Sequence, residues 1–185
     1  VINSTHNLGV RGENFEVMFS YLNGGLVSYR YAGVEMIKMI PKPNFWRAPN
    51  DNDEGNLMPM RYGQWKIASM YLGHKKPVEG RDFPDMLLPE FDLEENCARI
   101  TFSYFMPTTP SALCKLTYRV YGDGTIETTL SYDPVKELGD MPEFGVMFKL
   151  DADYDNATWY GMGPEETYVD RCRGAKLGIY RNKVA

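Results

Sequence analysis

One run of the chain, Asn44-Phe45-Trp46-Arg47-Ala48-Pro49-Asn50-Asp51-Asn52-Asp53-Glu54-Gly55, gathers side chains suited to chemistry. Two aromatics lead into Arg47, Pro49 fixes φ, Asn50 to Asp53 alternate amide and carboxylate, and Gly55 is free to take positive φ. Such a set either locks the backbone of an Asx-rich turn, with Arg47 as internal counter-ion, or presents acceptors to sugar hydroxyls. Asp51 and Asp53 also have the spacing of calcium ligands in an EF-hand loop. Gly55 then comes one position early, and the twelfth position is Tyr62 rather than Glu, so no metal is assigned.

A second run, Trp159-Tyr160-Gly161-Met162-Gly163-Pro164-Glu165-Glu166-Thr167-Tyr168-Val169-Asp170-Arg171, places Gly161 and Gly163 as in a phosphate loop. Pro and two acids follow instead of a third Gly opening a helix, and they repel phosphate. Gly161, Gly163, Pro164, Glu166, Tyr168, Asp170 and Arg171 read as a structural turn whose acids pair with Arg171 and Arg173.

Close acidic pairs occur at Asp51/Asp53, Glu94/Glu95 and Glu165/Glu166. Neighbours on a strand point to opposite faces, which places Glu94 and Glu95 poorly for flanking one bond. All three pairs read as surface or turn acids, and no catalytic residue is assigned. Cys97, Cys114 and Cys172 are widely spaced, with only His6 and His74 to join them, and read as reduced thiols of a cytoplasmic protein.

The elements that position these runs have the period of strands. Phe15, Val17 and Phe19 alternate with polar or exposed neighbours. Asn23-Gly24-Gly25 then turns the chain into 26–31, and Gly33 into 34–37. Ala98, Ile100, Phe102 and Tyr104 face one way, as do Cys114, Leu116, Tyr118 and Val120. Gly122-Asp123-Gly124 closes a hairpin to Ile126, Thr128, Leu130 and Tyr132. Residues 144–150 and 158–160 are further strands around the acidic loop 151–155. A short helix or lid is expected over 60–72, with Trp65, Ala68, Ser69 and Leu72 on one face and Gly73 as terminator.

The 185 residues, 43% hydrophobic and 24% charged, fit one globular domain, and the 14% aromatic share favours β structure. A net charge of −5 without a basic stripe excludes nucleic acid, and no apolar run reaches the length of a membrane span. The expected fold is all-β, two packed antiparallel sheets. The chain starts at Val1 rather than Met and stops in a strand-like stretch, so both ends are expected to be cut.

The motifs at 45–55 and 159–171, in that order and with the hairpin between them, resemble the C-terminal β-sandwich or small-chain domain of glycoside hydrolase family 2 β-galactosidases. The likeness covers nearly the whole chain. It implies a supersandwich related to galactose mutarotase, packed beside a TIM-barrel that carries both catalytic glutamates and cleaves terminal β-galactosides. It implies that Arg47, Asp51, Asn52, Asp53 and Gly55 form the base of a substrate-site loop, with Gly55 as hinge and 56–61 mobile. Any Mg and Na requirement of the parent belongs to barrel-side sites, with no cofactor in this chain. The family's last strands lie beyond residue 185, so the sandwich is truncated and self-association is expected. Two other readings remain open: a stand-alone carbohydrate-binding module using Trp46, Trp65 or Trp159 as a stacking platform, and a mutarotase-type epimerase resting on His6 and His74.

Overall fold

The computed structural model describes residues 1–73, 86–165 and 167–184. The chain divides into two compact units, Val1–Lys149 and Leu150–Ala185.

In the first unit, β1 (Ile2–Asn3), β2 (Asn7–Arg11), β3 (Phe15–Ser20), β4 (Gly25–Tyr31) and β5 (Val34–Glu35) form an antiparallel meander in sequence order. Next come β6 (Met39–Asn44) and three short helices, α1 (Asp51–Gly55), α2 (Met58–Arg61) and α3 (Gln64–Met70). A second antiparallel sheet follows, β7 (Glu90–Leu93), β8 (Cys97–Met106), β9 (Ala112–Tyr121) and β10 (Ile126–Tyr132), again with sequence neighbours paired. Last, β11 (Gly145–Lys149) returns to pair with β6.

The period-two pattern decides which faces meet. Leu8, Val10, Phe15, Val17, Phe19 and Leu26 of the first sheet share one buried cluster with Ile100, Phe102, Tyr104, Leu116, Tyr118 and Val120 of the second. At its centre the Phe19 ring lies 5.2 Å from Tyr118 and 6.1 Å from Phe102. Each fully buried aromatic of this kind contributes about 1.5–3 kcal/mol relative to exposure. This is an all-β sandwich, as the alternation predicts.

Two bonds stitch the sheets near their turns: Tyr104 OH donates to the Gly24 carbonyl and Tyr29 OH to the Gly124 carbonyl, both at 2.7 Å. Gly124 has φ +90°, and a Cβ there would lie 3.0 Å from the Phe15 and Tyr31 rings. The 122–124 turn is therefore a docking point between sheets as well as a hairpin.

The helical stretch differs in detail from the sequence expectation. α3 buries Trp65 and Ala68 as predicted, but Gly73 does not end it. Tyr71 is the C-cap, and Gly73 instead bridges to Phe105 through paired backbone hydrogen bonds of 2.9 and 2.8 Å. α1 forms where an Asx turn was expected, and α2 occupies the end of 56–61.

The second unit holds an antiparallel ribbon of β12 (Asn156–Gly163) and β13 (Lys176–Lys183), with Trp159 opposite Tyr180 and Gly161 opposite Gly178. Asp151 closes the acidic turn before it, accepting the Tyr154 N–H at its carbonyl and the Asp153 N–H at its carboxylate. Among the described residues, no helix is long and apolar enough to cross a membrane.

Candidate functional site

β6 delivers the first motif. Its sequence Met-Ile-Pro-Lys-Pro-Asn pairs on one side only, with β11, because prolines at 41 and 43 lack the N–H that a second neighbour needs. At its end Asn44 Nδ2 donates to the Trp46 carbonyl at 2.7 Å, and the Phe45 N–H donates to Ser69 Oγ of α3 at 2.8 Å. Phe45 is fully buried, with its ring 5.8 Å from Trp65. The chain therefore reaches Arg47 from a fixed point.

Arg47 and Asp53 form a two-pronged ion pair: Nη1 donates to Oδ2, and Nη2 donates to Oδ1 at 2.9 Å. Asn50 is the N-cap of α1. Its Oδ1 accepts the Asp53 N–H at 2.9 Å, while Asp53 Oδ2 accepts the Asn50 N–H at 2.9 Å, a reciprocal capping box. Asp51, Asp53 and Glu54 in the first turn suit the positive end of the helix dipole. The Arg47 guanidinium, with the Asn50 amide second, holds the Asp53 carboxyl below the usual carboxylate range. Arg47 Nε also donates to the Pro142 carbonyl at 3.2 Å. Alternating Asn and Asp thus lock their own backbone, in a helix cap rather than a loose turn.

Asp51, Asn52 and Glu54 stand on the exposed face of α1. Gly55 is its last residue, outside the left-handed region, with open space where a Cβ would point. Gly55 thus has helical rather than positive φ in this structure. The left-handed residue is Leu57, φ +56°, between α1 and α2.

In the second motif Gly163, with Gly178 of β13, makes room for an aromatic ring. A Cβ on Gly163 would lie 2.9 Å from the Tyr180 ring, and one on Gly178 3.3 Å. Tyr180 packs 5.6 Å from Trp159 and donates its hydroxyl to the Lys176 carbonyl at 2.8 Å. Pro164 follows directly, and the Tyr168 carbonyl accepts the N–H of Arg171 at 2.8 Å and of Cys172 at 2.7 Å, which closes the turn before β13. Asp170 and Arg171 lie in this turn, exposed. Glu166 lies outside the described residues, as does His74.

One member of each of two acidic pairs has structural employment. Glu94 accepts from Arg99 at 2.7 Å and from Arg119 at 3.3 Å, while Asp92 and Glu127 flank the same two arginines. Asp53 is engaged by Arg47 and the Asn50 amide. Among the described residues no cluster of three or more His, Cys, Asp or Glu is placed to hold a metal ion. Trp65 is 1% exposed and belongs to the core, Trp46 packs against it, and Trp159 is 36% exposed beside Tyr180. Of the three tryptophans offered as a stacking platform, Trp65 is therefore closed off in the core, while Trp159 keeps an exposed face. Sequence reasoning missed Tyr62, Gln64 and the stretch 138–142, which contact one another around Gly139; a glycine following a short polar helix was the available signal.

The β-galactosidase small chain profile matches residues 11–185. The chain belongs to the β-galactosidase small chain family. It is similar to a β-galactosidase of Clostridium acetobutylicum, 42% identical over 98% of this chain and 19% of that protein. It is 34% identical to the Streptococcus thermophilus β-galactosidase, across 100% of this chain and 17% of that one. It is also similar to the β-galactosidase small subunit of Latilactobacillus sakei, 32% identical over 94% of this chain and 57% of that subunit. The chain thus spans under a fifth of the single-chain relatives and a little over half of the small subunit. In this family setting the Arg47–Asp53 clasp and the Tyr180 seat are the structured cores of the two motifs.

Proposed function

We propose that this chain is the accessory β-sandwich of a glycoside hydrolase family 2 β-galactosidase, cytoplasmic, working beside a TIM-barrel domain that supplies the catalytic carboxylates. A retaining glycosidase needs two carboxyls about 5–5.5 Å apart, one as acid/base and one as nucleophile. In this reading the chain supplies neither; Asp53 is engaged by Arg47 and the cap of α1, and Glu94 by Arg99 and Arg119. Its contribution is positional. Arg47, Asp51, Asn52, Asp53 and Gly55 form the base from which 56–61 closes over the terminal galactoside and limits water at the site, effects that act through orientation and gating. The galactose mutarotase-like supersandwich and any Mg or Na held on the barrel side belong to the same reading.

The observation that carries it is the Arg47–Asp53–Asn50 lock. A doubly hydrogen-bonded ion pair inside a capping box is a rigid base at the root of a segment that starts with an unfavourable αL residue. The test is hydrolysis of a panel of nitrophenyl glycosides by the intact enzyme and by the 185-residue chain alone. Turnover of the β-galactoside by the intact enzyme, with a silent chain, supports the accessory role. Turnover by the chain alone contradicts it.

A further inference from the structure

The ribbon of β12 and β13 carries two different faces. Because side chains alternate, Trp159, Gly161 and Gly163 share a face with Lys176, Gly178 and Tyr180, while Tyr160, Met162, Leu177 and Ile179 occupy the other. The second face is covered with apolar side chains. The first holds two aromatic rings on a floor of glycines.

The glycines decide how the rings lie. A Cβ on Gly163 would lie 2.9 Å from the Tyr180 ring and one on Gly178 3.3 Å, so the phenol runs back along its own strand. Its hydroxyl donates to the Lys176 carbonyl at 2.8 Å, which holds it down. A Cβ on Gly161 would lie 3.6 Å from Trp159 Cδ1, and Trp159 Nε1 donates to the Met162 carbonyl at 3.4 Å, so the indole runs the same way along the ribbon. Trp159 and Tyr180 are cross-strand partners, with ring centroids 5.6 Å apart and planes 34° from parallel. Two rings therefore lie side by side against glycine main chain, and Trp159 is still 36% exposed.

At the Gly163 end this shelf meets an open hollow of about 510 Å³, which Glu165 and Arg171 also line. Flat rings beside a carboxylate and a guanidinium suit a ligand with apolar faces and a hydroxylated edge. A pyranose has both, C–H bonds on its faces and hydroxyls around its rim. The shelf is two rings wide, so a chain of linked pyranoses covers it where a single sugar covers half.

We propose that Trp159 and Tyr180 form a stacking shelf for a β-linked glycan chain, with Glu165 and Arg171 taking hydroxyls of the adjoining sugar unit. The shelf uses none of residues 47–61, so its failure leaves the role proposed for them untouched. Rings already held by the main chain lose little freedom on binding, and a contact of this size gives a dissociation constant on the order of 1 mM.

The test is native electrophoresis of the intact enzyme through gels containing soluble β-galactan or soluble β-glucan. Retardation by at least one glycan is expected, and it persists with D-galactose added to occupy the terminal-sugar site. Trp159→Ala is expected to weaken it on the order of 3- to 10-fold, with hydrolysis of nitrophenyl β-galactoside unchanged. Trp159→Phe keeps a ring on the shelf and most of the retardation. Should Trp159→Ala not fold, Glu165→Ala, exposed and outside the strand pairing, decides by its own loss of retardation. No retardation by either glycan, its abolition by D-galactose, or its full retention in Trp159→Ala or, failing that variant, in Glu165→Ala overturns the proposal.

Discussion

Replacing Trp65 with alanine removes the side chain that joins the helical stretch to the Arg47 motif. Trp65 is 1% exposed, meets Tyr132 edge to face at 5.9 Å and lies 5.8 Å from Phe45. Its carbonyl accepts Ser69 Oγ, which in turn accepts the Phe45 N–H. Truncation of such a residue costs about 3–5 kcal/mol, a large part of the roughly 5–15 kcal/mol that holds a domain together. Trp65→Phe separates volume from polarity. It leaves a smaller void, about 1 kcal/mol at ~24 cal/mol per Å³, but removes an indole N–H that has no hydrogen-bond partner among the described residues. Loss of an unpaired buried donor offsets about 1–3 kcal/mol. On these two terms Trp65→Phe is expected between wild-type stability and about 2 kcal/mol above it. Urea unfolding followed by far-UV circular dichroism measures both. Equal losses in the two variants, or a Trp65→Ala loss under about 1 kcal/mol, would refute the packing argument.

Gly124→Ala combines a φ of +90° with two rings at 3.0 Å, and is expected to lower stability by about 1–3 kcal/mol or more in the same unfolding assay; a neutral outcome contradicts the docking role of the 122–124 turn. Because Arg47 and the Asn50 amide depress the Asp53 carboxyl in the folded state, its contribution is full above the unfolded carboxylate range near pH 4 and is lost as pH falls through the folded value. The stability gap between wild type and Asp53→Asn should thus narrow from pH 7 to pH 3, and a constant gap counts against the ion pair. Burial pushes the Cys114 thiol up to about 12, whereas Cys172 is exposed. Alkylation of the native chain at pH 8, read by mass spectrometry, should mark Cys172 and spare Cys114 until unfolding; early Cys114 labelling contradicts the core assignment. The ribbon face carrying Tyr160, Met162, Leu177 and Ile179, 47–73% exposed, leads to an expectation of concentration-dependent association of the chain in sedimentation.

Much of the fold was legible because one sheet face is buried and the other is not. Phe15, Val17 and Phe19, and the two long runs 98–104 and 114–120, carry a period that fits only half-buried strands, and Gly124 marks a turn by its φ. What escaped was set by context. β6 carries two prolines, which argue against a strand unless it pairs on one side only, and β1 and β7 are too short for a period to show. α1 is five residues, four of them poor helix formers, made helical by the Asn50 cap and the Arg47 clasp rather than by propensity. At the site, the sequence singled out Arg47 and Asp53 as a charged pair. It could not reveal that Pro142, ninety-five positions from Arg47, completes the anchor, nor that the Tyr180 ring takes the space a side chain at Gly163 would need.

A crystal structure of the intact enzyme with galactose bound tests the central claim most directly. The account predicts that 55–61 borders the sugar, anchored through Arg47 and Asp53, with the two carboxyls at the anomeric carbon both coming from outside residues 1–185. A carboxylate pair from this chain flanking that carbon, or a sugar bound far from 55–61, would contradict it.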